Sequence, residues 1–349
     1  MIYMDNGAAE KPLYGAISEA SWILQRTWGN PNSAHREGRR ANEHIERAKE
    51  TISRILNCYP DEVHFCSCAC EAASWAIKCM RSACYEIYFE KWEHDCVLHS
   101  VKATAPHGAL WGHTRRGVVS MLANNETGEI FLIPKGSVLR FVDATAAVGH
   151  IPVDFHALGC DYLCADAMKF GGIPGAAFLL IKRGAPIVPL IYGNEERGGT
   201  PPTALICAMA EALGEKDAIL TESAEKTVSM RDYMIEELLK IPASYLNGKW
   251  TPGSYKDRLP GNVNISFEGI DGTALGLMLS ERGLMTSAGS ACTSGDNEPS
   301  HVLLAMGVPP EIAKGTIRLT LNEENTEEEC VKAARMISEC VENLRELAV

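Results

Sequence analysis

The sequence lacks the long apolar run of about eighteen or more residues that a helix needs to cross a bilayer. Positive charge is also scarce, because 33 Lys and Arg stand against 45 Asp and Glu, for a net charge of −12. Proteins bind nucleic acids and anionic membrane surfaces through positively charged surface regions, so neither partner is expected. The segment from Met1 to Asn6 has no basic stretch followed by an apolar one, which argues against a signal peptide.

The thirteen cysteines match neither a disulfide framework nor a zinc motif. Their number is odd and many lie in apolar runs of a long chain, so reduced thiols in a cytoplasmic protein are expected. Cys66, Cys68 and Cys70 alternate instead of showing CxxC spacing, and no second pair or histidine cluster accompanies them, so no metal site is predicted. Cys68 and Cys70 are expected to be buried and not to relay sulfur.

The chain is rich in short apolar runs that alternate with helical patterns, which is typical of an α/β fold with a mostly parallel sheet. The helical patterns predict helices over 39–56, 71–80, 204–239, 273–282 and 327–347. At 349 residues it is long enough for two domains. After the turn-rich stretch 247–261 the pattern changes to that of a smaller α+β domain. We therefore predict a large α/β domain over 15–240, and a small domain formed by 1–14 and 241–349 that carries Cys292.

Two residues that follow predicted strands suggest chemistry. Asp143 ends the run Phe141-Val142-Asp143, and Lys169 enters a glycine turn shortly after Tyr162-Leu163-Cys164. Ligands of open α/β folds bind at this carboxyl edge of the sheet. Alone, the acid could cap a helix and the lysine could be a turn residue. Together they suit pyridoxal 5'-phosphate (PLP), which needs an amine for a Schiff base and a carboxylate for its pyridine nitrogen.

Several ordered motifs extend this pattern nearly from end to end. The motifs are Tyr3-Met4-Asp5-Asn6-Gly7-Ala8-Ala9, Gly29-Asn30-Pro31-Asn32-Ser33-Ala34-His35, Glu93-His94, Asn124-Asn125-Glu126-Thr127-Gly128, Val142-Asp143-Ala144, Lys169-Phe170, Gly289-Ser290-Ala291-Cys292-Thr293-Ser294 and Thr316-Ile317-Arg318. With these motifs the chain resembles the NifS/IscS-like cysteine desulfurases, class V aminotransferase-type PLP enzymes. The resemblance implies the PLP-dependent transferase fold (fold type I).

The resemblance implies roles for the residues that would hold the cofactor. Lys169 matches the Schiff-base lysine, Asp143 matches the partner of the pyridine nitrogen, and His94 matches an imidazole that stacks on the ring and moves protons. Ala69 and Cys70 lie in the segment that matches the phosphate cup. Thr200 matches a phosphate contact that the other subunit of a homodimer supplies in the family.

The resemblance also implies residues for the substrate and the sulfur. Asn125 matches an amide near the phenolic oxygen of the cofactor and the substrate carboxylate. Arg318 matches the guanidinium that binds that carboxylate, a task for which its planar fork is suited. Cys292 matches the nucleophile. The residues around Cys292 are small and polar, which is typical of a loop that can present a thiolate and unlike the setting of a core cysteine.

The motif of the phosphate cup departs from the family pattern. Where the family has Ser-Gly-Ala-Thr, this chain has Ser67-Cys68-Ala69-Cys70, and the family's Ser-x-His-Lys becomes Asp166-Ala167-Met168-Lys169. Ala146 replaces a glutamine that binds the cofactor. Asp166 is expected to repel a phosphate dianion unless it turns away or is protonated. Cofactor binding is therefore expected to be weaker than in the family.

The leading functional hypothesis is a cysteine desulfurase that converts L-cysteine to L-alanine and holds the sulfur as a persulfide on Cys292. A sulfur-acceptor protein of iron–sulfur cluster assembly or of a thiolation pathway would receive it. One alternative is another PLP-dependent lyase or aminotransferase-like enzyme. A second, motivated by the altered phosphate cup, is a degenerate sulfur-transfer partner without catalysis.

Overall fold

The computed structural model describes residues 1–104, 115–133, 135–136, 138–193, 197–287 and 298–347. Strands and helices alternate over most of these residues, as the sequence predicts. The strands are β1 (Ile2–Tyr3), β2 (Val63–Cys66), β3 (Cys84–Tyr88), β4 (Arg115–Met121), β5 (Leu139–Asp143), β6 (Tyr162–Asp166), β7 (Ala177–Ile181), β8 (Ser244–Leu246), β9 (Asn262–Phe267), β10 (Leu284–Met285) and β11 (Thr316–Thr320).

The helices at Arg36–Leu56, Ala69–Arg81, Thr203–Leu238, Gly272–Glu281 and Glu327–Leu347 begin and end within three residues of those predicted from the sequence, and the others below were not predicted. The helices are α1 (Tyr14–Arg26), α2 (Arg36–Leu56), α3 (Ala69–Arg81), α4 (Asp95–Ala103), α5 (Phe155–Leu158), α6 (Thr203–Leu238), α7 (Gly272–Glu281), α8 (His301–Ala305), α9 (Pro310–Ala313) and α10 (Glu327–Leu347). Among the described residues, none of these helices is both long and apolar enough to cross a membrane.

The chain packs into two compact units. The large unit contains Glu10–Leu122 and Leu132–Ile219, and the small unit contains Met1–Ala9, Ala123–Phe131 and Leu220–Val349. These units begin and end at residues other than those of the predicted domains, whose boundaries stay a prediction.

The large unit is built on a sheet with the strand order β2-β7-β6-β5-β4-β3. Strands β3 to β6 run parallel, and β7 runs antiparallel to both of its neighbours. Every residue of β6 and β7 is buried, because helices cover a mostly parallel sheet. Helix α3 packs on this sheet through Trp75, which is fully buried and donates its indole N–H to the Val188 carbonyl at 2.7 Å. The mostly parallel α/β fold is confirmed.

The small unit has an antiparallel sheet with the strand order β11-β9-β8. Its apolar core gathers side chains of β9, β11, α7 and α10, among them Phe267, Leu319 and Ile337. Asp271 caps the start of helix α7, because its carboxylate accepts the N–H groups of Thr273 and Ala274. The smaller α+β architecture predicted for the carboxyl-terminal part is therefore present.

Candidate active site

Asp143 is the last residue of β5 and lies beside Cys164 of β6 in the parallel register. Only 8% of the residue is exposed. Its Oδ1 accepts a hydrogen bond from the Thr145 N–H at 2.9 Å and from the Cys164 thiol at 3.5 Å. These bonds fix a buried carboxylate at the carboxyl edge of the sheet.

Lys169 ends a single 3₁₀ turn, Ala167–Lys169, which directly follows β6. The His150 ring donates from Nε2 to the Lys169 carbonyl at 2.7 Å. Gly171 has φ +77°, and a Cβ there would lie 2.7 Å from the Leu13 side chain, so the turn requires glycine. The charges of Lys169 and Asp143 both act on the carboxyl group of Asp166. The amine and the carboxylate therefore belong to the same edge of the sheet.

His94 is the residue immediately before α4 and caps it, since Nδ1 accepts the Cys96 N–H at 3.2 Å. The same ring nitrogen lies 3.1 Å from the Cys96 sulfur. The Cys70 sulfur, in the first turn of α3, lies within 4.8 Å of the Cys96 sulfur. The Cys96 thiol and the nearby His94 lower the pKa of Cys70, whereas Cys70 and burial raise the pKa of Cys96. The start of α4 thus brings two thiols and an imidazole together.

Glu93, next to His94, is a buried carboxyl that the sequence analysis did not assign a role. Its Oε1 accepts the Met121 N–H at 3.0 Å, which joins the start of α4 to β4. Burial and the neighbouring charge of Asp143 raise the pKa of Glu93 to about 8. A carboxyl group in this setting retains its proton at neutral pH, so it adds little charge beside Asp143.

The first N–H group of α3 is already engaged by a carboxylate. Asp166 Oδ2 accepts the Ala69 N–H at 2.9 Å, and its Oδ1 accepts the Met168 N–H at 3.2 Å. Burial raises the pKa of Asp166. Because the N-terminus of a helix attracts anions, the Asp166 carboxylate occupies the position that a phosphate would otherwise fill. Asp166 does not turn away from this position.

Ser67 is also hydrogen-bonded to a carboxylate of the protein. Its N–H and its hydroxyl donate to the Glu71 carboxylate at 2.8 and 2.6 Å. Glu71 in turn pairs with Arg197, whose Nε lies 2.5 Å from Glu71 Oε1. Although burial opposes it, the bonds from Arg197 and Ser67 hold the pKa of Glu71 below its usual value. The hydroxyl and the guanidinium that could face a phosphate therefore both face a carboxylate.

The chemistry of these side chains fits one end of PLP better than the other. Asp143, Lys169 and His94, called here the ring end, offer the carboxylate, the amine and the imidazole that the cofactor ring requires. Ser67, Ala69 and Asp166, called here the phosphate end, offer donors that the protein's own carboxylates occupy. A phosphate fits there only when it displaces Asp166 from the Ala69 N–H.

The small unit holds a second group of predicted residues around Arg318 in β11. Its side chain is 98% buried, and it donates to the Asn125 carbonyl at 2.9 Å and to Asp5 Oδ1 at 3.0 Å. Arg318 Nε is buried and has no hydrogen-bond partner among the described residues. A buried guanidinium N–H that lacks an acceptor suits an incoming carboxylate.

Among the described residues, the structure gives no contact that bears on the predicted roles of Thr200 and Cys292. Thr200 is exposed, and Cys292 lies outside the described residues. The expectation that Cys68 and Cys70 are buried is wrong, because Cys70 is exposed and Cys68 only half-buried. The reason is that Cys70 lies at the start of α3, before Ala72, which is the first buried residue of that helix.

The sequence analysis missed Cys96, Asp5 and the pair of Glu71 with Arg197. The spacing His94-Asp95-Cys96 was the available signal for Cys96, because it puts a thiol in the first turn of the helix that His94 caps. Nothing in the local sequence signals the other contacts, since Glu71 and Arg197 are far apart along the chain.

Comparison with known proteins identifies the family. A model of the aminotransferase class-V family matches residues 2–110 and 104–332. The chain belongs to the aminotransferase class-V family. It is 34% identical to a protein named cysteine desulfurase IscS from Methanosarcina thermophila, over 99% of this chain and 93% of that protein. The identity is 35% to an IscS-like cysteine desulfurase of Mycobacterium tuberculosis, over 100% and 98% of the two chains.

Solved structures agree with this membership of the aminotransferase class-V family. A structure titled NifS-like protein superposes with a TM-score of 0.86 at 29% identity, covering 98% of this chain and 100% of that chain. A second NifS-like protein, from Rickettsia africae, has the same TM-score at 23% identity and bears on the fold alone. The resemblance to cysteine desulfurases inferred from the motifs is confirmed.

Proposed function

We propose that this chain is a PLP-dependent cysteine desulfurase, which takes sulfur from L-cysteine onto Cys292 and releases L-alanine. The observation that carries the proposal is the convergence of Asp143, Lys169 and His94 at one edge of the sheet. The names of the full-length relatives support the same activity.

The ring end supplies the groups that act on the substrate amine and its α-carbon. When bound, PLP supplies an electron sink for negative charge at that carbon. The carboxylate of Asp143, which Thr145 and Cys164 fix in place, would hold a proton on the pyridine nitrogen. Lys169 would hold the aldehyde, and its Nζ would carry the proton taken from the α-carbon. His94, at the start of α4, would stack on the ring.

We assign the substrate carboxylate to Arg318, with Asn125 beside it. Arg318 is oriented by Asp5 and by the Asn125 carbonyl. Its Nε–H group has no acceptor among the described residues and can donate to the substrate. Removing one guanidinium donor from a buried carboxylate costs about 1.5–3 kcal/mol. This contribution belongs to substrate binding, so it is expected in KM more than in kcat.

Cys292 is the proposed sulfur acceptor. Its thiolate attacks the sulfur of the substrate, an S–S bond forms as the substrate Cβ–S bond breaks, and Cβ gains a proton to give L-alanine. The persulfide then passes to a sulfur-acceptor protein. We also propose a homodimer in which Thr200 contacts the cofactor phosphate of the other subunit, in keeping with the family.

The test is the formation of L-alanine and sulfide from L-cysteine in the presence of a thiol reductant. We expect the wild-type chain to form both, Cys292→Ala to lose both, and the matched control Cys58→Ala to retain them. Alanine formed at the wild-type rate by Cys292→Ala would contradict the role of this thiol and favour another PLP-dependent reaction.

One observation favours a second candidate, the non-catalytic sulfur-transfer partner. Asp166 occupies the first N–H of α3, where the cofactor phosphate would bind. The two candidates differ in whether purified protein gains the yellow absorption of lysine-bound PLP when the cofactor is added. A colourless protein with unchanged Cys292 reactivity would replace the enzyme proposal with this second one.

A further inference from the structure

We infer that Cys70, His94 and Cys96 form a binding site for a thiophilic divalent metal ion of the zinc class. One ligand atom from each residue lies within 4.8 Å of the other two. Ligands of tetrahedral zinc, at about 2.0–2.3 Å from the ion, lie about 3.3–3.8 Å from one another. The cluster therefore needs only small side-chain rotations to enclose an ion.

The arrangement of the three side chains is suited to coordination. Helices α3 and α4 present Cys70 and Cys96 from their first turns. The Cys70 sulfur lies within 4.8 Å of the Cys96 sulfur, and His94 Nδ1 lies 3.1 Å from the Cys96 sulfur. Because Nδ1 accepts the Cys96 N–H, it carries a lone pair, which an ion can take in place of that hydrogen bond.

The surrounding charges favour a cation. The carboxylates of Asp143 and Asp166 both act on Cys70, and Asp143 also acts on Cys96. Lys169 contributes the opposing positive charge, which acts on Asp166. Two sulfur ligands and one imidazole are the soft donor set that selects zinc over magnesium or calcium. A fourth position is left for water or a carboxylate, as in open zinc sites.

The metal site goes beyond the proposed reaction and shares side chains with the proposed cofactor site. His94 belongs to the ring end, and Cys70 lies in the first turn of α3 at the phosphate end. An ion held by both residues and a cofactor that uses them therefore exclude each other.

The experiment is a cobalt titration of the full-length, fully reduced protein without added cofactor, because Co²⁺ reports zinc sites by colour. We expect one Co²⁺ per chain, thiolate-to-cobalt charge-transfer absorption, and displacement of that absorption by Zn²⁺. Cys96→Ser is expected to weaken cobalt binding at least about tenfold. Cys70→Ser, at an exposed position, is expected to do the same and guards against a misfolded Cys96→Ser variant.

The matched control is Cys207→Ser, which removes the single thiol of a second group formed by Glu19, His44 and Cys207. Its cobalt affinity is expected to equal that of wild type. Absence of charge-transfer absorption in wild type, equal affinity in both Cys70→Ser and Cys96→Ser, or an equal loss in Cys207→Ser would overturn the site. Cobalt affinity that is unchanged by prior loading with PLP would overturn the shared use of His94 and Cys70.

Discussion

The ring end and the phosphate end of the candidate site lie in the same unit but differ in how their polar groups are used. At the ring end, Asp143 is held by its own strand neighbours and a lysine follows the adjacent strand. At the phosphate end, Asp166 and Glu71 take the donors that a phosphate would need. The groups proposed to perform chemistry match the family pattern, whereas the groups proposed to bind the phosphate do not. We therefore expect changes at the phosphate end to alter the affinity for PLP without removing the proposed chemical groups.

The largest expected effect is at Lys169. Lys169→Ala removes both the attachment of the cofactor and the base for the α-proton, so desulfuration is expected to fall at least about a thousandfold. The measurement is alanine formation from L-cysteine. Lys182→Ala, at an exposed position after β7, is the matched control and is expected to keep wild-type activity. Substantial activity in Lys169→Ala would contradict the proposed roles of Lys169 in cofactor attachment and proton transfer.

Asp143→Asn is expected to reduce kcat about a hundredfold, because the amide keeps the shape but cannot hold the pyridine proton. The acceptor for the Thr145 N–H survives in the variant, so circular dichroism should show an unchanged fold. The matched control is Asp161→Asn, which changes a carboxylate immediately before β6 that accepts the Arg140 N–H. A kcat within threefold of wild type in Asp143→Asn would contradict the proposed role.

At the phosphate end we expect a change of opposite sign. Asp166→Ser removes the carboxylate from the Ala69 N–H and frees that donor for a phosphate. PLP affinity is expected to rise about tenfold, which corresponds to about 1.4 kcal/mol. The measurement is a fluorescence titration with PLP, and Asp161→Ser serves as the control. Weaker PLP binding in Asp166→Ser would show that the carboxylate assists cofactor binding. It would contradict the proposal that Asp166 competes with the phosphate for the Ala69 N–H.

The smallest expected effect is at Ser67. Its hydroxyl is bound to Glu71, so Ser67→Ala is expected to change PLP affinity by less than about threefold. The same titration measures it, with Ser82→Ala as a control at the end of α3. A loss of tenfold or more would show that the hydroxyl leaves Glu71 for the phosphate when the cofactor binds.

Much of the fold could be predicted because its signals are local. Helix α2 was predicted from apolar residues at helical spacing, and the structure buries Ala41, Ile45, Ala48, Ile52 and Leu56. Strands such as β6 were predicted from short apolar runs. Helices α1, with 13 residues, and α4, with nine, were missed. Short elements depend on tertiary packing more than on periodicity.

The sequence by itself determined the α/β class, the family motifs and the candidates Asp143, Lys169, His94 and Arg318, because each depends on neighbours along the chain. Only the tertiary structure decided that Asp166 binds the first N–H of α3 and that Cys96 joins Cys70 and His94. These contacts bring together residues from separate strands and helices. Their distances are set by how the elements pack on one sheet, and local spacing carries no information about that packing.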